Sequence, residues 1–307
     1  MFLLLIHIAV PVLLLAALAV RTRSRAVKIA QAVAVSAYLL ALHLAGLWMD
    51  LPWWSPWVLW AGFAVALVVG WRQRTAPSRT KRPRRIAAWG WALAAVGFLW
   101  IAITAALSRQ APEGPVVDLA SPLPPGRYLV VNGGSGTLIN AHLKTLRPVT
   151  ARQAAHRGQS YALDIVGLTR FGRTSAAWHP REPARYAIFG TPILAPCAGV
   201  VVAHLDGRPD MPVPQVDQAV MGGNHVALQC GGVQVVLAHF RRGSVAVARG
   251  ERVKVGQKLG EVGNSGNSDQ PHLHIHVQRP ATGASLMAAE PLPFTIEGRY
   301  LVRGDRL

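Results

Sequence analysis

The chain has 307 residues, 51% of them hydrophobic and 15% charged, with a formal net charge of +18. High hydrophobicity with few charges argues for membrane-spanning segments and against a protein that is soluble throughout. Many of the cations sit in short loops between apolar segments, which reads as membrane topology rather than as a nucleic-acid surface.

Four apolar stretches fill the first third: Met1–Val20, Ala26–Met49, Trp53–Trp71 and Ile86–Leu107. Each approaches the ~20 residues that a helix needs to cross a bilayer. Nine of the ten tryptophans lie here, several at segment ends (Trp48, Trp53, Trp54, Trp71), where interfacial anchoring puts them. The expectation is an all-α domain of four transmembrane helices over residues 1–107. Arg21, Arg23, Arg25 and Lys28 follow the first stretch; Arg72, Arg74, Arg79, Lys81, Arg82, Arg84 and Arg85 follow the third. The loop between the second and third carries only Asp50. The positive-inside rule makes both basic loops cytoplasmic, so everything after Leu107 is extracytoplasmic, in a periplasm if there is one. A cleaved signal peptide carries positive charge ahead of its apolar run, whereas here the charge follows.

Residues 108–126 are rich in proline and read as a linker; residues 127–307 read as one domain. Short Val/Leu/Ile runs alternate with Gly and Pro there, which predicts an all-β fold of mostly antiparallel sheet. Tyr161–Val166 is an apolar strand with one carboxylate, Asp164. A charge in a buried run is costly unless it is paired or bound to a metal, so Asp164 is a candidate ligand, with a salt bridge to an arginine as the alternative. Cys197 and Cys230 both fall in the external part, where oxidising conditions favour a disulfide; no CxxC spacing points to metal ligation by them.

Gly223–Gln229 and Val233–Phe240 form a hairpin through Gly231-Gly232, and its second strand reaches His239. A turn-rich stretch from Val253 to Gly266 then leads to His272, His274 and His276 at alternate positions. Alternate residues of a strand share a face at roughly 6.5–7 Å spacing, so three imidazoles line one side. Histidine is a frequent zinc ligand and a proton-handling group, which makes this strand the chemical centre of the sequence.

The ordered set Ala195-Pro-Cys-Ala-Gly-Val-Val, Gly223-Asn-His-Val-Ala-Leu, Val235-Val-Leu-Ala-His-Phe, Val253-Lys-Val-Gly-Gln-Lys-Leu-Gly-Glu-Val-Gly-Asn-Ser-Gly-Asn and Pro271-His-Leu-His-Ile-His closely resembles the lysostaphin-type (LytM-like) zinc metallopeptidases that cut peptidoglycan peptides. The resemblance covers roughly residues 130–278. It implies one Zn2+, with His274 and Asp164 as ligands and His272 and His239 as catalytic histidines. His276 falls where that family usually has glutamate. The family's first ligand usually stands four residues before the aspartate, but Ser160 occupies that place. Two histidines can substitute: His142, in an Asn140-Ala-His142 context beside a predicted strand, and His156. The more rigid mounting favours His142. The expected function is a membrane-anchored zinc endopeptidase acting on peptidoglycan stem peptides or crossbridges. The alternative is a non-catalytic wall-binding or hydrolase-regulating module of the same fold.

Overall fold

The structure, a computed structural model, describes residues 5–20, 22, 24–73, 82–280 and 286–307. Of the cations that set the expected topology, Arg21, Arg23, Arg74, Arg79 and Lys81 lie outside the described residues. The chain divides into two units, Met1–Trp48 with Trp53–Leu107, and Met49–Pro52 with Ser108–Leu307.

The first unit is helical. It contains α1 (Leu5–Ala19, opening in π-helical form), α2 (Arg25–Ala45), α3 (Ser55–Arg72) and α4 (Arg82–Leu107). Ser24 starts α2 by accepting a hydrogen bond from the Val27 amide (3.2 Å), which satisfies one of the free donors of the first turn. Leu18, Val35, Leu39 and Ala66 pack between the helices. Among the described residues, three helices are long and apolar enough to cross a membrane: Arg25–Ala45, Ser55–Arg72 and Arg85–Leu107. This corrects the expectation of four. At ~1.5 Å per residue the described part of α1 reaches only about 22 Å, short of a hydrocarbon layer of about 30 Å.

The second unit is mostly antiparallel sheet. Its strands are β1 (Val117–Leu119), β2 (Tyr128–Asn132), β3 (Leu163–Gly167), β4 (Pro192–Leu194), β5 (Gly199–Leu205), β6 (Asn224–Cys230), β7 (Val233–Phe240), β8 (Arg252–Val253), β9 (Lys258–Glu261), β10 (Leu273–Gln278), β11 (Pro291–Leu292) and β12 (Phe294–Ile296). The main sheet runs β2-β3-β10-β7-β6-β5-β8, with β11 paired to β10. The pair β4–β9 is antiparallel, whereas β1–β12 is parallel. Since β1 falls within the Pro-rich stretch 108–126, and Leu119 and Leu123 are buried in the core, that stretch is built into the domain rather than leading freely to it.

Alternation decides which side of the sheet becomes the core. Leu273, Ile275 and Val277 of β10, Val235 and Leu237 of β7, and Leu163 and Ile165 of β3 all join one apolar cluster. Their alternate neighbours, among them Asp164, His274 and His276, take the opposite face. A disulfide joins Cys197, just before β5, to Cys230 at the end of β6, closing a loop of 33 positions. A cross-link over such a loop stabilises by about 2–4 kcal/mol through the unfolded state. Replacing both cysteines with serine is expected to lower the unfolding free energy of the second unit by about that amount, read as a shifted urea midpoint; an unchanged midpoint would contradict it.

Candidate metal centre

Strand pairing assembles a row of side chains straight across the sheet. Asn132 is opposite Asp164, Asp164 opposite His274, His274 opposite Ala238, and Ala238 opposite His225. Directly opposed residues bring their Cβ atoms to about 5 Å, so polar groups at successive places in one row must interact.

Two irregularities complete the row. The β2–β3 register shifts between Val130 and Asn132. The extra residue sends Val130 to the core and Asn132 to the site face, although simple alternation would put both on one side. Similarly, the β6–β7 register pairs Ala238 with His225 and Phe240 with Asn224, leaving His239 as the bulged residue. His239 has φ +65°, a left-handed conformation that costs a non-glycine residue about 1–3 kcal/mol. Three contacts hold it there. Its amide donates to the Gly222 carbonyl (3.0 Å), its carbonyl accepts from the Gly263 amide (2.9 Å), and its ring Nδ1 lies 2.8 Å from the Ser265 carbonyl.

Asp164 is the hub. Its Oδ2 lies 2.9 Å from His142 Nε2 and accepts from Asn132 Nδ2 at 2.9 Å, while Oδ1 lies 2.9 Å from His274 Nδ1. Burial on its own would raise this carboxyl. The imidazoles of His142 and His272 and the hydrogen bonds from His142 and His274 outweigh burial and hold it well below the usual carboxylate range. Burial likewise opposes the charged form of His142, but Asp164 prevails and raises it. His142 comes from a short 3₁₀ turn, Ala141–Thr145, capped by the fully buried Asn140. Asn140 accepts from the His142 amide (3.1 Å) and donates to the carbonyls of Gly134 (3.0 Å) and Ala162 (3.2 Å).

The ligating atoms of His142, Asp164 and His274 all lie within 4.8 Å of one another, and among the described residues this is the group able to hold a metal ion. His156 stands elsewhere, its Nδ1 2.8 Å from the Arg152 carbonyl. Ser160 is fully buried and hydrogen bonds to the Arg157 carbonyl (2.6 Å) and to the Thr145 hydroxyl (2.9 Å).

The two remaining histidines of the cleft are oriented alike. A carbonyl only accepts, so the bond to Ser265 places a hydrogen on His239 Nδ1, and the 2.9 Å bond to the Gln270 carbonyl places one on His272 Nδ1. Each neutral ring therefore keeps its lone pair on Nε2, and His272 Nε2 lies 3.6 Å from Asp164 Oδ1. The two rings are 4.7 Å apart between centroids. Burial first, then the neighbouring His272 and His274, hold the His239 imidazole well below the usual histidine range. His276 is fully buried, with Nδ1 3.0 Å from His274 Nε2, so it supports the outer edge of that ring rather than facing the cleft.

Sequence reasoning did not pick out Asn132 or Arg303. Arg303 donates from Nε to the Val131 carbonyl (2.8 Å), from Nη1 to the Leu138 carbonyl (3.1 Å) and from Nη2 to Asn132 Oδ1 (3.0 Å). With its oxygen engaged by Arg303, Asn132 has its amide nitrogen turned to Asp164. Above the cluster lies a cavity of about 360 Å³, rimmed by Gln159, Met221, Asn267, Asp269 and Met287.

The family model described as "Peptidase family M23" matches residues 186–286. That span holds His239, His272 and His274, and it follows His142 and Asp164. The chain is 27% identical over 169 residues to the peptidoglycan DD-endopeptidase ShyA of Vibrio cholerae, covering 53% of this chain and 31% of that protein. It is 27% identical over 192 residues to an uncharacterized metalloprotease of Haemophilus influenzae, covering 57% and 37%. The chain thus spans about a third of the length of these curated relatives. Among solved structures it is similar to the catalytic domain of lysostaphin from Staphylococcus simulans, with 27% identity, 34% of this chain and 68% of that chain covered, and a TM-score of 0.26. Residues 186–286 of this chain belong to peptidase family M23.

Proposed function

We propose that the chain is a membrane-anchored zinc endopeptidase that hydrolyses peptide bonds of peptidoglycan stem peptides or crossbridges. The observation that carries this reading is the buried Asp164 carboxylate flanked by His142 and His274 at the base of an open cleft, with two more imidazoles facing it. Two imidazoles and one carboxylate form a donor set suited to zinc, and three protein ligands leave a coordination position free, as catalytic rather than structural sites do. His142, Asp164 and His274 would hold the zinc, which would supply Lewis acidity for a substrate carbonyl and lower the pKa of a bound water towards ~7. His239 and His272, each with Nδ1–H committed to a backbone carbonyl, offer Nε2 as a proton acceptor. The one that takes the attacking water's proton then has an N–H to donate, to the oxyanion or to the departing amine.

The substrate class rests on the match to a peptidoglycan endopeptidase and on the charge bias of the loops. Anchoring rests on the three long apolar helices and on the side chains they expose: on α4, Trp89 and Leu93 are 75% exposed and Trp100 is 70% exposed. Apolar surface of that extent calls for lipid or a partner. In this reading residues 1–107 anchor the protein and the β domain works outside. The purified protein is expected to hold about one zinc per chain and to release new peptide ends from muropeptides; a metal-loaded protein that leaves muropeptides intact favours the non-catalytic module instead. A reporter active only outside the cytoplasm is expected to work when fused after Leu107 or near Pro52, and to fail near Ser24 or Pro77. The inverse pattern would put the metal centre on the wrong side of the membrane for that substrate.

A further inference from the structure

Residues 1–107 hold eleven lysines and arginines but a single carboxylate, Asp50, which belongs to the second unit. Three of those cations meet at one place. Arg25, Lys28 and Arg72 line a cavity of about 420 Å³ together with Thr22, Trp71 and Gln73.

The charge of Arg25 is set against the local backbone, whereas that of Lys28 is turned to the carbonyls at the end of α1. Arg25 and Lys28 occupy the first turn of α2, which has no acidic residue. A helix N-terminus presents unpaired amides and the positive end of the helix dipole, so it favours anions there, not cations. Lys28 is also buried, at 4% exposure. Its ammonium donates to the carbonyls of Leu18 (2.6 Å) and Val20 (2.7 Å). An ammonium has three donors, so one is left over on a group that lines the cavity. Gly70 of α3 lets the Leu18 carbonyl and the ammonium approach this closely, since a Cβ there would run into that carbonyl and come within 2.8 Å of Lys28 Nζ. The positive-inside bias asks only for cations in the loops; it does not ask for a buried lysine beside a void. A buried cation with no carboxylate in its unit is stabilised by an anion brought from outside, and the guanidinium forks of Arg25 and Arg72 at the mouth match the oxygens of a phosphate.

We propose that this cavity binds the phosphate of an anionic phospholipid headgroup. The proposal rests on the reading of the helices as membrane-spanning, because that reading sets the basic loops at the cytoplasmic surface, where anionic headgroups concentrate. Trp71, 57% exposed beside the cavity, fits the same interfacial level.

The test uses the purified full chain in neutral detergent, titrated with phosphatidylglycerol or phosphatidylcholine and read by native mass spectrometry. Selective retention of phosphatidylglycerol is expected. Arg25→Gln and Arg72→Gln should each weaken it about fivefold, the effect of about 1 kcal/mol per interfacial arginine, while Arg85→Gln leaves it unchanged. Equal binding of the two lipids, or the same loss in Arg85→Gln, would overturn the site. Inorganic phosphate separates the possible sources of the anion. Competition between phosphate and lipid supports recognition of the phosphate group. Phosphate binding without lipid binding would overturn the lipid assignment. Alkaline carbonate extraction tests the anchoring reading separately. A chain that leaves the membrane refutes anchoring, whereas a retained chain without lipid selectivity refutes only this site.

Discussion

Asp164→Ala is expected to leave the purified protein with no tightly held zinc, and His274→Ala and His142→Ala with the same loss. Asp164 touches every other member of the cluster, so its removal strips one ligand and frees the two imidazoles at once. Metal affinity in a three-ligand site depends on all three donors being held together, so a single deletion loosens the whole site. His156→Ala should keep its zinc, since that ring bonds to the Arg152 carbonyl instead. Asn132→Ala should bind zinc about 10–100-fold more weakly, the usual effect of losing a partner that orients a ligand. Zinc content by elemental analysis and affinity by chelator competition read these out. Full zinc content in Asp164→Ala or His274→Ala would sink the assignment of the centre, and loss in His156→Ala with retention in His142→Ala would exchange the first ligand.

For His239→Ala and His272→Ala the expected result is a loss of turnover by about 10²–10⁴ with zinc retained. Both rings bond through Nδ1 to backbone carbonyls, so removing either leaves the three ligand atoms where they are. His239 has the additional complication of its left-handed backbone, which alanine tolerates poorly. His239→Asn keeps a residue that accepts such a φ while removing the imidazole, so it separates the chemical effect from the conformational one. If either substitution emptied the metal site, that histidine would be a ligand and the division of roles would be wrong. If turnover were unaffected in both, proton transfer would have to come from another group of the cleft.

Much of this centre is legible in the sequence because strand alternation is a strict rule. His274 and Asp164 share a face of the sheet, and their apolar neighbours Leu273, Ile275, Leu163 and Ile165 share the other. What alternation conceals is its own exceptions. Counting by twos along Val235, Leu237 and His239 predicts a buried core position for His239; only the extra residue in the β7 ladder turns that ring to the cleft. Asn132 is hidden for the same reason, and its partner Arg303 lies 171 positions away, beyond any local pattern. A bulge announces itself by glycine in some strands, but neither Val131 nor His239 is glycine. Met1–Val20 is apolar from end to end, so composition alone does not distinguish it from the three longer spans; its described helix covers Leu5–Ala19.

The place of β10 in the sheet has a consequence for how the protein is made. It is a late strand in the chain, yet it lies between β3 and β7, in the middle of the sheet. Before it arrives, β2–β3 and the β7-to-β8 half have no shared edge, and Asp164 waits for a partner 110 positions downstream. Long-range pairing of this kind is slow to form. Synthesis must reach residue 274 before the group His142, Asp164 and His274 is complete. The order of the strands makes this group of side chains one of the last parts of the domain to be assembled.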